Sequence, residues 1–184
     1  MTLAIPANYL TVEKYLDGEL GSTVRHEYVN GQVYAMAGAS DRHNLIAANA
    51  NALLNTALPD ACEVFISDMK VHIHTETDIV FYYPDVMVCC DTGDRETYYR
   101  EKPCLLIEVL SSSTERQDRF EKFFFYQRIP SLQEYLLLSQ NIREATLLRR
   151  ARAWQPEVYH EGEIYLASVG LTVSMEALYR RVSR

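Results

Sequence analysis

The chain has 184 residues, 48% of them hydrophobic and 23% charged; this suits one domain with a real core and excludes a fibrous or disordered chain. A net charge of −7 argues against a protein that coats nucleic acid by bulk electrostatics, although not against a local basic face. No apolar run is long enough for a membrane helix, and the N-terminal MTLAIPANYLTVEKYLDGEL lacks the basic-then-apolar pattern of a secretory signal.

The elements expected from the pattern begin with a short helix over residues 10–20, with Thr11 as its cap. EYVNGQVYAMA, residues 27–37, reads as a β-hairpin, because Asn30-Gly31 is the strongest two-residue turn signal. Residues 41–58 form an alanine- and leucine-rich helix that Pro59 ends. Residues 63–74 and then 84–90 read as strands, residues 91–103 as a polar loop, and CLLIEVL, residues 104–110, as a buried strand. A helix follows to about Arg128, opened by a capping box of Thr114 and Gln117 and stopped by Ile129-Pro130. Residues 133–138 form the next strand, 143–149 and 153–160 a strand pair, and 175–182 a terminal helix. Strand 104–110, helix 115–128 and strand 133–138 make a βαβ unit, which requires a partly parallel sheet. The whole reads as one α/β domain with a mixed central β-sheet flanked by helices.

The four cysteines, Cys62, Cys89, Cys90 and Cys104, form no CxxC pair and sit in apolar contexts. They are expected as buried free thiols in a reducing cytoplasm. Arginines gather late in the chain, at Arg143, Arg149, Arg150, Arg152, Arg180, Arg181 and Arg184. They mark either a basic face or a solvated surface with a frayed tail.

The chemistry centres on Glu108, a carboxylate inside an apolar strand. Such a group costs several kcal/mol unless something pairs with it. It stands near the C-terminal end of its strand, where α/β folds place ligand and catalytic groups. Asp85, after a proline that fits only the first position of a strand, stands in a similar place. Two converging strand carboxylates repel each other unless a cation lies between them. Mg²⁺ suits that arrangement, since it takes one or two carboxylates and keeps several waters. The plain alternative is a buried Glu–Lys or Glu–Arg pair. Lys122 supplies a third point: about 7 Å of strand separate Glu108 from the strand end, and about 12 Å of returning helix separate Thr114 from Lys122. The ammonium can therefore come level with Glu108. Asp118, Lys122 and Tyr126 recur at i, i+4, i+8 and share a face, although Asp118 and Lys122 also fit an ordinary surface pair.

Together PDVMV, IEVLSSST and DRFEKFFFYQ resemble the Uma-type family of restriction-endonuclease-like proteins, within the PD-(D/E)XK nuclease superfamily. The likeness extends from HEYVNGQVYAMAGAS, with His43, through QEYLLL. It implies a restriction-endonuclease-like core, Mg²⁺- or Mn²⁺-dependent hydrolysis of phosphodiester bonds with DNA as substrate, and a homodimer in which two sites address two strands. It also implies that Asp85 and Glu108 are the metal carboxylates, that the backbone carbonyl of Val109 is a further ligand and that Glu27 is an additional N-terminal acid. The superfamily pattern places a lysine two residues after the second acid, where this chain has Leu110; the family moves that role to the following helix, at Lys122, with Asp118 and Tyr126 as its supports.

His43 opens the long helix and can reach the cleft, or can serve as a cap. His72 and His74 share one strand face with Asp68 and Lys70, and a solvent-facing pair is favoured over a metal pair. The aromatic run FFFYQ, residues 123–127, reads as core rather than a base-stacking platform. Two other functions stay open: a non-catalytic interaction module that keeps the fold, and a metal hydrolase of small phosphate esters.

Overall fold

A computed structural model describes residues 9–111 and 117–182, with the backbone alone for residues 117–119. The capping box expected of Thr114 and Gln117 lies outside the described residues, as does the side chain of Asp118.

Helix α1 (Val12–Gly21) starts at Thr11, whose hydroxyl accepts from the Lys14 amide at 3.4 Å. Strands β1 (His26–Val29) and β2 (Gln32–Ala35) form the expected hairpin, with His26 opposite Ala35 and Val29 opposite Gln32. The two residues left between them, Asn30 and Gly31, have φ of 49° and 90°, as a type I′ turn requires. Helix α2 (Asp41–Ala57) is capped by Ser40, whose hydroxyl accepts from the His43 amide at 3.1 Å. The run expected as one strand over 63–74 is two: β3 (Glu63–Ile66) and β4 (Lys70–His74). Ser67, with a left-handed φ of 54°, breaks the run and sends the halves into different sheets.

Strands β5 (Ile79–Tyr82), β6 (Val86–Cys89), β7 (Tyr99–Arg100) and β8 (Leu105–Leu110) follow. Next come π-helical turns over Gln117–Lys122 that pass into α3 (Phe123–Tyr126). Strands β9 (Glu134–Ser139), β10 (Ala145–Arg149), β11 (Pro156–Tyr159), β12 (Glu163–Leu166) and β13 (Leu171–Ser174) precede α4 (Met175–Leu178). The sequence pattern had not marked β5, β7, β12 or β13.

The α/β mix is as expected, but the strands form two large mixed sheets rather than one. Their orders are β2-β1-β5-β4-β7 and β11-β10-β9-β8-β6-β3, beside a β12-β13 hairpin. The parallel step of the βαβ unit is β8 with β9, Leu105 opposite Glu134 and Glu108 opposite Leu137. Strand β8 is buried along its whole length, so its two faces serve two cores. Leu105, Ile107 and Val109 pack with Val86, Val88 and Leu136 against Ile46, Ala50 and Leu54 of α2. Leu106 and Leu110 point the other way, with Met87 and Leu137, onto Tyr126, Ile129 and Leu132. Val71, Ile73, Val80 and Tyr82 of the five-stranded sheet join that second core, which therefore fills the space between the sheets. Glu108 belongs to this face by alternation.

The cysteines correct an expectation. Cys62 and Cys90 form a disulfide, while Cys89 and Cys104 are free. The antiparallel register of β3 on β6 places Glu63 opposite Cys89, and one step outward it sets Cys62 opposite Cys90. Burial pushes the Cys104 thiol up to about 11, which makes it a poor nucleophile toward the bond. The disulfide closes a loop with a sequence separation of 28, worth about 3–4 kcal/mol in the chain-entropy account. Thiol titration of the denatured, unreduced protein should find two thiols rather than four, and Cys62→Ser should lower the urea midpoint accordingly.

Candidate functional site

Two strands bring the acids together. Val86 pairs with Ile107 across the antiparallel β6–β8 ladder, so one step further Asp85 faces Glu108 on the same side of the sheet. Each carboxylate is held by backbone from the other's segment. The Asp85 amide donates to Glu108 Oε2 at 3.3 Å, and the Val109 amide donates to Asp85 Oδ2 at 2.7 Å. On an extended strand the N–H and C=O of one residue face the same edge, so the Val109 carbonyl looks toward Asp85 as well.

The partner of Glu108 is Lys122. Its Nζ lies 3.2 Å from Glu108 Oε1 and 3.0 Å from Glu27 Oε1. The Tyr126 hydroxyl donates to the same Glu108 oxygen at 2.9 Å. The side chains of Lys122, Glu27 and Glu108 are only 8%, 7% and 3% exposed. Lys122 is therefore no surface residue, and the buried Glu–Lys pair expected as the plain alternative for Glu108 is present. The helix-span estimate placed the ammonium level with Glu108, and 3.2 Å agrees with it. Tyr82, from β5, presents its ring 5.6 Å from the ammonium, a cation–π contact that the sequence reading missed. Burial, with Glu108 next in weight, raises the Tyr126 phenol well above its usual value. It stays a protonated donor across the physiological range.

Glu27 reaches this point because β1 alternates. Its neighbour His26 faces the other way, onto Glu19: the His26 amide and Nδ1 lie 3.2 and 2.8 Å from the Glu19 carboxylate, and the Tyr83 hydroxyl donates to it at 2.7 Å. Burial works against that charge, but the bonds from Tyr83 and His26 outweigh it and lower the Glu19 carboxyl. This clamp joins α1, β1 and the segment before Pro84. His43 enters from the first turn of α2, with Nε2 3.2 Å from Asp85 Oδ2. The structure thus brings Glu27, His43, Asp85, Glu108, Lys122 and Tyr126 into one cluster.

Its donor set suits a hard cation. Glu27, Asp85 and Glu108 supply three carboxylates, and Lys122 is the one described lysine among them. Among the described residues no group of three or more His, Cys, Asp or Glu is gathered tightly enough to cage a metal unaided.

The remaining candidates stand apart. His72 is not solvent-facing: it stacks on Phe81 with ring centres 4.3 Å apart, and its Nδ1 lies 2.7 Å from Glu101 Oε1. Burial, partly offset by Glu101, lowers the His72 imidazole, so it is neutral. Asp68 pairs with Arg25. Lys70 is buried over the Tyr83 ring and donates to the Tyr98 carbonyl. Of the aromatic run, Phe123 and Tyr126 pack on Tyr135 as core, whereas Phe124 is exposed.

The sequence profile described as "Uma2: Putative restriction endonuclease" matches residues 12–177. The chain belongs to the Uma2 family. It is 37% identical over 180 residues to "Uncharacterized protein slr1290" of Synechocystis sp., covering 95% of this chain and 94% of that relative. It is likewise 37% identical over 144 residues to "Uncharacterized protein sll1609" of the same organism, covering 76% of this chain and 80% of the relative. Its fold is similar to a crystal structure from Anabaena variabilis described as "a putative nuclease belonging to DUF820", with a TM-score of 0.74, 16% identity and coverage of 95% and 99% of the two chains. At that identity the likeness shows the nuclease-type fold alone. Within this Uma2 chain, Leu110 is buried in the core between the sheets.

The buried cluster sets a measurable cost. Lys122→Met leaves Glu27 and Glu108 facing each other without their ammonium. It should cost about 3–5 kcal/mol by urea denaturation, as removal of one partner of a buried ion pair does. An exposed pair would cost about 0.3–0.5 kcal/mol, and a loss of that size would refute the buried network.

Proposed function

We propose that this Uma2 chain is a Mg²⁺- or Mn²⁺-dependent endonuclease that hydrolyses phosphodiester bonds in DNA. One observation carries the reading: Asp85 and Glu108 face each other across β6 and β8, with Lys122 at 3.2 Å and Tyr126 at 2.9 Å on one Glu108 oxygen. Asp85, Glu108 and the Val109 carbonyl would hold the ion. When bound, the ion supplies Lewis acidity toward a phosphoryl oxygen and an acidified water.

The chain's own side chains do the rest. Glu27 holds the Lys122 ammonium at 3.0 Å, beside the Asp85–Glu108 edge, where its charge stabilises the negative charge that develops on the phosphorane. Tyr126 locks the Glu108 rotamer by its hydrogen bond. His43 and the Val109 amide together fix the Asp85 carboxylate at Oδ2. The water-poor surroundings strengthen each of these interactions.

A second reading is a module that keeps the fold without cleaving. Leu110 stands at the position of the superfamily's strand lysine, and Lys122 is already bound by Glu27 and Glu108, which a purely structural ion pair would also explain. The proposal further carries a homodimer, checked by sedimentation velocity.

The test is nicking of supercoiled plasmid with and without divalent metal. Wild type should nick in Mg²⁺ or Mn²⁺ and not in chelator. Glu108→Ala and Asp85→Asn, purified identically, should lose at least about a hundredfold in rate, the scale of removing one preorganised charge-stabilising group. Lys122→Arg keeps the charge but replaces a compact ammonium with a planar guanidinium, and should lose nicking while still folded. Metal should raise the melting temperature of wild type by mass action and leave Asp85→Asn unmoved. A metal-induced shift with no nicking under any divalent ion would instead establish the non-catalytic module.

A further inference from the structure

The late arginines divide into two kinds. Arg149 is spent on structure: it donates to Glu134 at 2.9 Å and to the Tyr165 carbonyl at 2.6 Å, and also pairs with Glu157. Arg150 is spent as well, on the carbonyls of Leu132, Ile129 and Gln127 at 2.7, 2.6 and 3.1 Å. Arg143, Arg180 and Arg181 are exposed, and among the described residues none of them pairs with a carboxylate. They line one cavity of about 660 Å³ with Arg42, Tyr179 and a single acid, Glu176.

The cavity and the candidate site draw on shared segments of the chain. Arg42 immediately precedes His43, which contacts Asp85 at 3.2 Å. The Gln140 amide donates at 3.1 Å to the carbonyl of Leu110, two residues beyond Glu108. Ser40 Oγ bonds Gln140 Oε1 at 2.6 Å, and Arg42 Nη2 reaches the Asn141 carbonyl at 3.5 Å. The terminal segment is pinned in place, since Asn49 Nδ2 donates to the Leu178 and Arg180 carbonyls at 3.0 and 2.8 Å. Arg181 holds a left-handed φ of 62°, where glycine or asparagine is the ordinary choice. The Arg42 Nε is buried with no partner, a donor oriented toward nothing the described residues supply.

We propose that the cleft of Arg42, Arg143, Arg180 and Arg181 grips the phosphate backbone of a nucleic acid and feeds an adjacent phosphodiester to the Asp85–Glu108 edge. The inference rests on the nuclease reading for what happens at that edge, but not for the binding itself. Guanidinium forks match phosphate oxygens in geometry and charge. Several phosphates in a row need several cations along one groove, which a lone phosphate ester does not. Continuity with the site favours a polymer substrate over an acidic protein partner.

Anisotropy of a fluorescein-labelled DNA duplex in chelator tests the cleft without cleavage. Four phosphate contacts give a log–log salt slope of about −3 to −4. Arg143→Gln should weaken binding about eightfold at about 0.1 M salt, and Arg180→Gln with Arg181→Gln about sixtyfold, each lost contact reducing the slope by about one. Lys14→Gln, on the exposed side of α1, should change nothing. Binding is read in chelator, where no cleavage is expected, and nicking is read separately in metal, so failure of nicking and failure of the cleft are separable. Unchanged affinity in both cleft variants would overturn the proposal, as would a wild type that binds polyglutamate or free inorganic phosphate but not the duplex.

Discussion

A buried ammonium, that of Lys122, bridges the two sheets at the site. Glu27 comes from the five-stranded sheet, Glu108 from the six-stranded one, and Lys122 lies between them at 3.0 and 3.2 Å. Two carboxylates in an apolar interior are intolerable alone. With one shared lysine, a tyrosine hydroxyl and a strand amide, each charge gains the partners that burial demands. Apolar packing between the sheets, through Val80, Tyr82, Met87 and Leu106, is not directional. The ion network is, so it fixes how the sheets are registered at this edge. Buried ionic groups serve such a registry role in some proteins at a cost in stability, and here the same groups form the candidate site.

That double duty has a chemical consequence. On the proposed function, a cation at Asp85 and Glu108 would enter a place where Glu108 is already bound to Lys122. Ion and ammonium would repel each other, so such binding would favour a geometry in which Lys122 leans toward Glu27 and toward an incoming anion. Glu27 is in position to receive it, and its own strand is braced from behind by the Glu19, His26 and Tyr83 clamp. Functional sites that carry this kind of internal conflict are commonly less stable than an apolar substitute would be. An acid retained in the middle of an otherwise apolar β8 is that conflict written in the chain.

Much of this was legible in residues whose reason is local. Asn30-Gly31 imposes its turn, Pro59 ends α2, and the βαβ spacing forces β9 parallel to β8. Glu108 stood out because nothing apolar explains it, and the helix rise brought Lys122 to it. What escaped the reading depends on distant partners. The 63–74 run shows no glycine or proline, yet Ser67 takes a positive φ and splits it between two sheets. Strand β7 is two residues long and exists by pairing with β4. The Cys62–Cys90 bond follows from a register that no spacing rule encodes. The β12–β13 hairpin is sutured to β9 by Glu134, which accepts from the amides of Ala167 and Ser168 at 3.1 and 2.9 Å, a contact across more than thirty residues of chain.

The acidic balance of the chain would sharpen the role proposed for its basic cleft. At physiological salt, charge is felt over about 8 Å, so a polyanion approaching an average patch of this surface meets net repulsion. Four arginines around one cavity offset that repulsion locally, while Arg149 is paired with Glu134 and Glu157 and the donors of Arg150 are taken up by backbone carbonyls. Repulsion elsewhere then orients as effectively as attraction at the cleft, because wrong-facing encounters are short-lived. A uniformly basic protein would bind DNA in many poses, most of them remote from Glu108. On the proposed reading, an acidic chain with a basic groove near its carboxylates would give up overall affinity and confine binding to the pose in which a phosphodiester lies next to them.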